Sequence, residues 1–487
     1  MKCNQFERGA KSAILAKDAT ARKELVQSFQ NLLDFVDDKA RSARGGHIVD
    51  YGDLEKKIRE HLNDIEMCSH AHLLQAHDVD VPGITIGEDT YYRIGHALGT
   101  YNTMAGPVEI HRAIYRKAGE RNSKTVDVIS QRTGVTGRGW LPQTAASMAF
   151  MMQQGTSREA VNAATQLVIL PYSRVAFERV GHLVGESYLK HKVEIEDKTI
   201  DTFEIPEETC AISVGLDRAS IPLEEPIPRK PGRPPQNAPK RSIQRVFKMA
   251  YCGSLTLHDA DGEALHTFRY GTMPEKDPLL LCWHIANDVH RIMERKPGLR
   301  LILLADGAHE MWDLLERHFV NDPYFGTPHR LVDFWHLVEK LSPAAKVIYG
   351  GEKGQAKLKK WRDLLLKKKN AAQQILDQLH QSGCEQVAVG EDKPVHAAIT
   401  YLENHFVKSG RMDYVTARKW KLPIGSGNIE ATCKTLVEVR MKRAGSRWKQ
   451  DTGEHIVQLR ALALSDRWAK AMSLLHERNS KGVRPAA

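Results

Sequence analysis

The sequence predicts a multidomain protein of the α plus α/β class. Apolar residues recur at helical spacing through the first third of the chain. Short apolar runs typical of strands alternate with helical patterns between residues 205 and 336, and helical patterns return after that point. A chain of 487 residues is long enough for roughly two to four domains, each with its own core.

Composition restricts the class of protein. The hydrophobic fraction of 41% and the charged fraction of 27% are those of a soluble globular protein, and the net charge of +10 favours a polyanionic partner. The seven cysteines are scattered without a C-x-x-C pair, which argues against a zinc ribbon or a disulfide framework and fits a reducing compartment. With no signal-peptide pattern and no apolar run near ~20 residues, we expect a cytoplasmic protein without membrane spans.

The N-terminal part divides into three predicted regions. Residues 1–77 have helical spacing and nothing that demands chemistry, whereas 78–140 contain a small β-hairpin followed by a polar, glycine-rich loop. Residues 141–195 predict three helices joined by short turns, an order typical of a helix-turn-helix. Arg174 and Arg179 lie on the polar face of the third helix and are the candidates for DNA contact there. A simple packing unit is the alternative.

The region 205–336 carries the strongest fold signal. Three strands in a meander are followed by helix, strand, helix and strand, which is the RNase H-like order. In that order the first strand lies between the second and the fourth. Two strands end in an acid, Asp217 and Asp306, so these carboxylates are predicted to lie side by side at the carboxyl edge of the sheet. Residues 337–420 predict a lysine-rich helical insertion, and 421–487 the closing helices.

A Pro/Gly/Ser loop at 422–427 precedes a helix with Glu430 in its first turn. The rest of this helix is basic, and Arg440, Lys442 and Arg443 are candidate DNA contacts. Alone, an acid in a first turn needs no function beyond complementing the helix dipole. Together with the two aspartates, Glu430 would complete a hard oxygen site suited to Mg²⁺ or Mn²⁺, with two ions expected for phosphodiester chemistry. No Walker-type loop is present, so no nucleotide cofactor is predicted.

A proline-rich basic stretch at 226–245 interrupts this region. Its centre, with Arg229, Lys230 and Arg233, resembles an AT-hook that lies in a narrow minor groove. A solvated basic loop is the alternative.

Residues 211–470 resemble bacterial DDE insertion-sequence transposases, most closely the Kra-type group. A weaker resemblance extends over the N-terminal half. Four motifs carry it in the correct order, the last being the most specific: Val214-Gly-Leu-Asp217, Leu304-Ala-Asp-Gly-Ala-His-Glu-Met-Trp312, Val332-Asp-Phe-Trp-His336, and Ile424-Gly-Ser-Gly-Asn-Ile-Glu430 followed by Arg440, Gly445 and Trp448.

The resemblance implies a metal-dependent enzyme that nicks DNA at transposon ends and joins the ends to target DNA. Asp217, Asp306 and Glu430 would hold the metals. A homodimer or higher oligomer is implied because two ends must be paired, and the protein would act at the bacterial nucleoid. Asp333 is an alternative third acid, but we predict that Asp333 and His336 pack against the metal ligands or orient them and do not bind the metal themselves.

The chain departs from the family pattern because many relatives carry a zinc-binding cysteine cluster where 117–140 has no cysteine. A nuclease on the same fold that never joins strands, and a domesticated DNA-binding protein without catalysis, are the competing hypotheses.

Overall fold

The structure is a computed structural model that describes residues 14–16, 18–48, 50–227 and 242–486. The chain forms two compact units, which we describe separately. Unit 1 comprises Met1–Ile195 and Trp468–Ala487, and unit 2 comprises Glu196–Arg467. Residues 468–487, predicted with the closing helices, therefore cluster with the N-terminal unit. Arg229, Lys230 and Arg233 lie outside the described residues.

The secondary structure alternates helices and strands through most of the chain. The elements up to residue 201 are β1 (Ile14–Ala16), α1 (Asp18–Arg44), α2 (Tyr51–His77), β2 (Gly83–Ile86), β3 (Asp89–Asn102), β4 (Pro107–Lys117), α3 (Val128–Thr133), α4 (Pro142–Gln154), α5 (Ser157–Gln166), α6 (Arg174–Lys190) and α7 (Lys192–Asp201). Those that follow are β5 (Ala211–Pro226), β6 (Ile243–His258), β7 (Ala264–Thr272), α8 (Pro278–Arg295), β8 (Arg300–Ala305), α9 (His309–Leu315), β9 (His329–Val332), α10 (Phe334–Tyr349), α11 (Gly351–Leu365), α12 (Ala371–Gln381), α13 (Pro394–Leu402), α14 (Tyr414–Lys419), α15 (Gly427–Thr432), α16 (Val439–Met441), α17 (Gln450–Leu464), α18 (Trp468–Asn479) and β10 (Val483–Pro485).

Unit 1 contains a five-stranded sheet in the order β1-β4-β3-β2-β10. The antiparallel pair β3–β4 is the hairpin that the sequence predicts. The predicted loop at 117–140 contains the short helix α3, because Asp127 caps it by accepting a hydrogen bond from Ser130 N at 2.7 Å. The three predicted helices form as α4, α5 and α6, and α5 opens with a capping box of Thr156 and Glu159.

Unit 2 is built on a mixed sheet in the order β7-β6-β5-β8-β9. Strands β5, β6 and β7 form the antiparallel meander, while β8 and β9 run parallel to β5. The first strand thus lies between the second and the fourth, as predicted. The largest apolar core covers this sheet with α8 and α9 and continues into helices α10 to α13. The predicted helical insertion therefore forms and shares the core of the sheet.

Asp217 does not end its strand, contrary to the sequence prediction. β5 continues to Pro226 and remains paired with β6 throughout, whereas its parallel pairing with β8 stops at Leu216. β8 gives way there to the loop that begins with Asp306, and β7 stays paired with β6 as far as Tyr251, which lies opposite Arg218. Asp217 therefore lies one residue beyond the last pair that joins β5 to β8.

No helix in the described part of the chain is long and apolar enough to cross a membrane.

Candidate metal centre

Three aspartates lie in one row across three neighbouring parallel strands. The last registered pairs are Leu216 with Ala305, and Ala305 with Val332, so the next residues along the chain are Asp217, Asp306 and Asp333. Neighbouring strands lie about 4.8 Å apart, and residues in register share a face of the sheet. The structure thus brings Asp217 and Asp306 together, as predicted, and adds Asp333 on the far side.

Asp217 is tied to the helix that carries Glu430. Its Oδ1 accepts a hydrogen bond from Arg218 N at 2.6 Å, and Cys433 Sγ donates to its Oδ2 at 3.6 Å. Cys433 begins a π-helical turn, Cys433–Glu438, that continues α15. Such turns are frequent at functional sites. Burial raises the pKa of Asp217, and the charge of Asp306 raises it further, so a cation at this position would stabilise both carboxylates.

Asp306 is held from both its main chain and its side chain. Its Oδ1 accepts a hydrogen bond from Ala308 N at 2.9 Å, and its carbonyl oxygen accepts one from Trp312 Nε1 at 2.8 Å. Trp312 is fully buried. Oδ2 of Asp306 accepts no hydrogen bond from the described residues, so it is the oxygen that could bind a metal.

Glu430 lies in the first turn of α15, as the sequence predicts, with its side chain exposed. The buried Ser426 donates a hydrogen bond from Oγ to Glu430 Oε1 at 2.8 Å, which orients the carboxylate. The preceding residue, Gly425, leaves room for the ring of Trp335, because a Cβ at this position would lie 2.9 Å from Trp335 Cδ1. Trp335 itself is half exposed.

Asp333 anchors the loop at 422–427 through its side-chain oxygens. It is completely buried and caps α10 by accepting a hydrogen bond from His336 N at 2.8 Å, while its Oδ2 accepts one from Ser426 N. His336 Nδ1 lies 3.4 Å from Asp333 Oδ1. Hydrogen bonds from His336 and Ser426 hold the pKa of Asp333 well below its usual range despite burial, and Asp333 raises the pKa of His336 to about 9. These contacts hold both residues in place, and the supporting role predicted for them stays a prediction.

One group of described residues has ligand atoms close enough together to share a metal ion, and it contains Glu430 but neither Asp217 nor Asp306. One ligand atom from each of Asp333, His336 and Glu430 lies within 4.8 Å of the other two. Within this group, His336 Nδ1 already lies 3.4 Å from Asp333 Oδ1. Both oxygens of Asp333 also already accept backbone N–H groups. The set predicted from the sequence, Asp217, Asp306 and Glu430, does not meet this distance and stays a prediction.

The Asp333–His336 pair predicts a pH dependence of stability in metal-free protein. Because folding raises the pKa of His336 from 6.5 to about 9, its favourable contribution is fully present below pH 6.5 and is lost as the pH rises through about 9. We expect His336→Gln to remove this component from thermal unfolding midpoints measured in EDTA between pH 6 and 10. His380→Gln, at an exposed position on α12, is the matched control. Parallel curves for wild type and His336→Gln would contradict the assignment.

The residues of the closing helix that the sequence predicts as DNA contacts differ in their exposure to solvent. Arg440 is buried against Trp448, with its guanidinium carbon 4.7 Å from the ring centroid, so it does not present its charge to DNA as predicted. Lys442 is exposed and pairs with Glu438, and Arg443 is half buried. In unit 1, Arg174 and Arg179 are both exposed on α6, and Arg174 Nε lies 3.7 Å from Glu178.

Sequence reasoning missed Cys433 and Tyr401 beside the acids. Tyr401, on helix α13 of the insertion, is largely buried, and its hydroxyl makes no hydrogen bond to any described residue. Burial raises its pKa. The ring lies against the residue that follows Asp306, because a Cβ on Gly307 would be 2.5 Å from Tyr401 Cε2. No local pattern could have revealed this, because 95 positions separate Tyr401 from Asp306.

The chain was compared with known proteins at the level of family and sequence. No protein-family model matches it, and no curated protein matches it either.

Proposed function

We propose that the chain is a metal-dependent DDE transposase that cleaves DNA at the ends of its own element and joins them to target DNA. The observation that carries the proposal is the row of Asp217, Asp306 and Asp333 at the carboxyl edge of the sheet, with Asp333 close to Glu430. The strand order with β5 between β6 and β8 supports an RNase H-like fold. The cleavage and joining reaction is proposed from the resemblance of the four sequence motifs to those of DDE transposases.

Carboxylate oxygens of the kind that Asp217, Asp306 and Glu430 carry are the ligands that Mg²⁺ and Mn²⁺ prefer. Asp217, Asp306 and Glu430 would hold them, and Oδ2 of Asp306 and Oε2 of Glu430 accept no hydrogen bond from the described residues. When bound, two such ions activate the attacking oxygen and stabilise the leaving oxygen of a phosphodiester. Burial raises the pKa of Asp217, the charge of Asp306 raises it further, and a bound cation would offset both effects.

The remaining residues of the site act by position and charge. Asp333 holds the loop by its bond from Ser426 N, and Ser426 in turn orients Glu430. His336 is protonated at neutral pH and lies beside these acids, so it offers a positive charge to a phosphate that approaches them. Its contribution is electrostatic and does not require loss of its proton.

The proposal extends to partners. DNA is the substrate as both element end and target, and a homodimer or larger oligomer would pair two ends. The positive net charge of the chain supports a polyanionic substrate. We infer action on bacterial chromosomal DNA in the cytoplasm.

The test uses a supercoiled plasmid that carries the gene with its native flanks. Purified full-length protein is incubated with it in Mg²⁺, in Mn²⁺, or in EDTA, and breaks and joints are mapped at nucleotide resolution. We expect breaks at fixed positions flanking the gene, and joined products containing these ends, only with a metal. Breaks without joints would indicate a nuclease. Binding without any breaks would favour the non-catalytic hypothesis.

A further inference from the structure

A cleft of about 1480 Å³ lies within unit 1. The hairpin β3–β4, the segment from Lys124 to Gly139 and the end of α18 form its walls. Its lining contains five Lys and Arg residues against a single carboxylate, Asp127. The cations are Arg112, Lys124, Arg138, Arg478 and Lys481.

Most of this positive charge is not neutralised. Asp127 is already occupied, because Arg112 Nη1 lies 2.9 Å from its Oδ2 and Tyr101 donates a hydrogen bond to its Oδ1 at 2.7 Å. Arg478 forms an ion pair with Glu194. Lys124, Arg138 and Lys481 are exposed and form no ion pair with residues of the described ranges. The cleft therefore offers three unpaired cations at its surface.

Arg112 is fixed at the base of the cleft. Its guanidinium donates a hydrogen bond to Tyr101 Oη at 2.6 Å in addition to its ion pair with Asp127. It also lies directly over Gly99, where a Cβ would be 2.4 Å from Arg112 Cζ, so only glycine leaves room for it. This base is rigid, whereas the unpaired cations are on flexible side chains at the rim.

The backbone of the cleft adds hydrogen-bond donors. Thr136 N donates to Trp140 O at 2.8 Å, and this closes a tight turn at Gly137-Arg138-Gly139. Gly137 and Gly139 have φ of 60° and 77°, which glycine adopts without strain. The three N–H groups of this turn make no hydrogen bond within the described part of the chain, and successive free N–H groups of this kind bind anions.

The composition of the lining favours an extended polyanion over a small molecule. Sites for small ligands are mostly apolar and have volumes of roughly 300–1,000 Å³. This cleft is larger and lined mainly by polar, cationic and glycine residues. Its lining includes no Phe, Tyr or Trp. Binding of single strands depends on stacking of bases on such rings, so the cleft fits a backbone whose bases are already paired.

We propose that this cleft binds the phosphodiester backbone of duplex DNA without reading its sequence. The choice of DNA rests on the proposed function, but the site itself is separate from the candidate metal centre. Lys124, Arg138 and Lys481 contact phosphates, and the Gly137–Gly139 turn adds its N–H groups. Helix α6, with Arg174 and Arg179, contributes none of the lining.

Binding of a labelled duplex by the full-length protein, measured by fluorescence anisotropy in EDTA at several salt concentrations, tests this. The variant Lys124→Ala/Arg138→Ala/Lys481→Ala should bind at least tenfold more weakly at low salt, and the slope of log K against log salt should decrease by about two to three, since each lost phosphate contact removes about 0.9. The control Lys23→Ala/Lys56→Ala/Arg59→Ala removes the same charges from exposed positions of α1 and α2.

Three outcomes would overturn the inference: an unchanged affinity and slope in the cleft variant, an equal loss in the control, or stronger competition by a single strand than by a duplex. Competition by inorganic polyphosphate as strong as that by duplex DNA would show a general phosphate site instead. Because the measurement needs no metal, failure of plasmid cleavage by the wild type would refute the proposed function and leave this result intact.

Discussion

Asp306→Asn is expected to reduce DNA cleavage by about a thousandfold or more while leaving the fold unchanged. Metal ions supply several kcal/mol of charge stabilisation in phosphodiester transition states, and each 1.36 kcal/mol corresponds to a factor of ten in rate. The asparagine retains an Oδ1 that can accept the hydrogen bond from Ala308 N at 2.9 Å. It loses the negative charge that would bind the metal. Initial cleavage rates on the plasmid with native flanks, in Mg²⁺, measure the effect.

Asp217→Asn and Glu430→Gln should behave in the same way, for the same reason. Both amides keep an oxygen that can accept the existing bonds, from Arg218 N and from Ser426 Oγ. The matched control is Asp313→Asn, at an exposed position on α9 only seven residues beyond Asp306. Circular dichroism and anisotropy with duplex DNA should be indistinguishable from wild type in all four variants.

The same series decides between the two candidate ligand sets. If Asp217→Asn cleaves at a normal rate while His336→Gln is inactive, the ligands are Asp333, His336 and Glu430, and the predicted set is wrong. A normal rate in Glu430→Gln would remove the residue that both sets share.

The sequence predicted the positions of the acids better than their surroundings. Apolar runs ending at Asp217 and Asp306 were enough to predict adjacent carboxylates, because parallel neighbours in register must bring their ends together. The predicted end of β5 was wrong, because antiparallel pairing with β6 extends the strand to Pro226. A pattern of apolar residues does not reveal antiparallel pairing that continues beyond the core. Burial of Arg440 was missed for a related reason. A cation on a basic helix gives no sign that it stacks on Trp448.

Asp333 shows what spacing cannot reveal. Like the other two acids, Asp333 directly follows an apolar strand in the sequence. Its oxygens nevertheless accept hydrogen bonds from His336 N and from Ser426 N, which is 93 positions away. Only the tertiary structure distinguishes an acid that faces a substrate from one that holds a loop. Tyr401 is the complementary case, since an unremarkable tyrosine of the insertion approaches the row through the shared core.

Asp333→Ala is expected to destabilise unit 2 by about 3 kcal/mol and to reduce cleavage as well. The substitution leaves two backbone N–H groups without an acceptor and His336 without its counter-ion, and loss of one partner of a buried pair costs about 3–5 kcal/mol. We take the low end because His336 is partly exposed. For a unit of this size the unfolding midpoint should fall by roughly 6–12 °C in a thermal melt in EDTA.

The control for this prediction is a second aspartate with the same local role. Asp413 caps α14 by accepting a hydrogen bond from Thr416 N at 3.0 Å, but its side chain is about one-third exposed and bonds to no part of the loop at 422–427. Asp413→Ala should therefore cost only about 1 kcal/mol, the usual contribution of an N-cap, and leave cleavage unchanged. Equal losses of stability in the two variants would mean that Asp333 is only a cap. A stable but inactive Asp333→Ala would instead place its carboxylate among the metal ligands, since loss of a loop anchor must lower stability as well as activity.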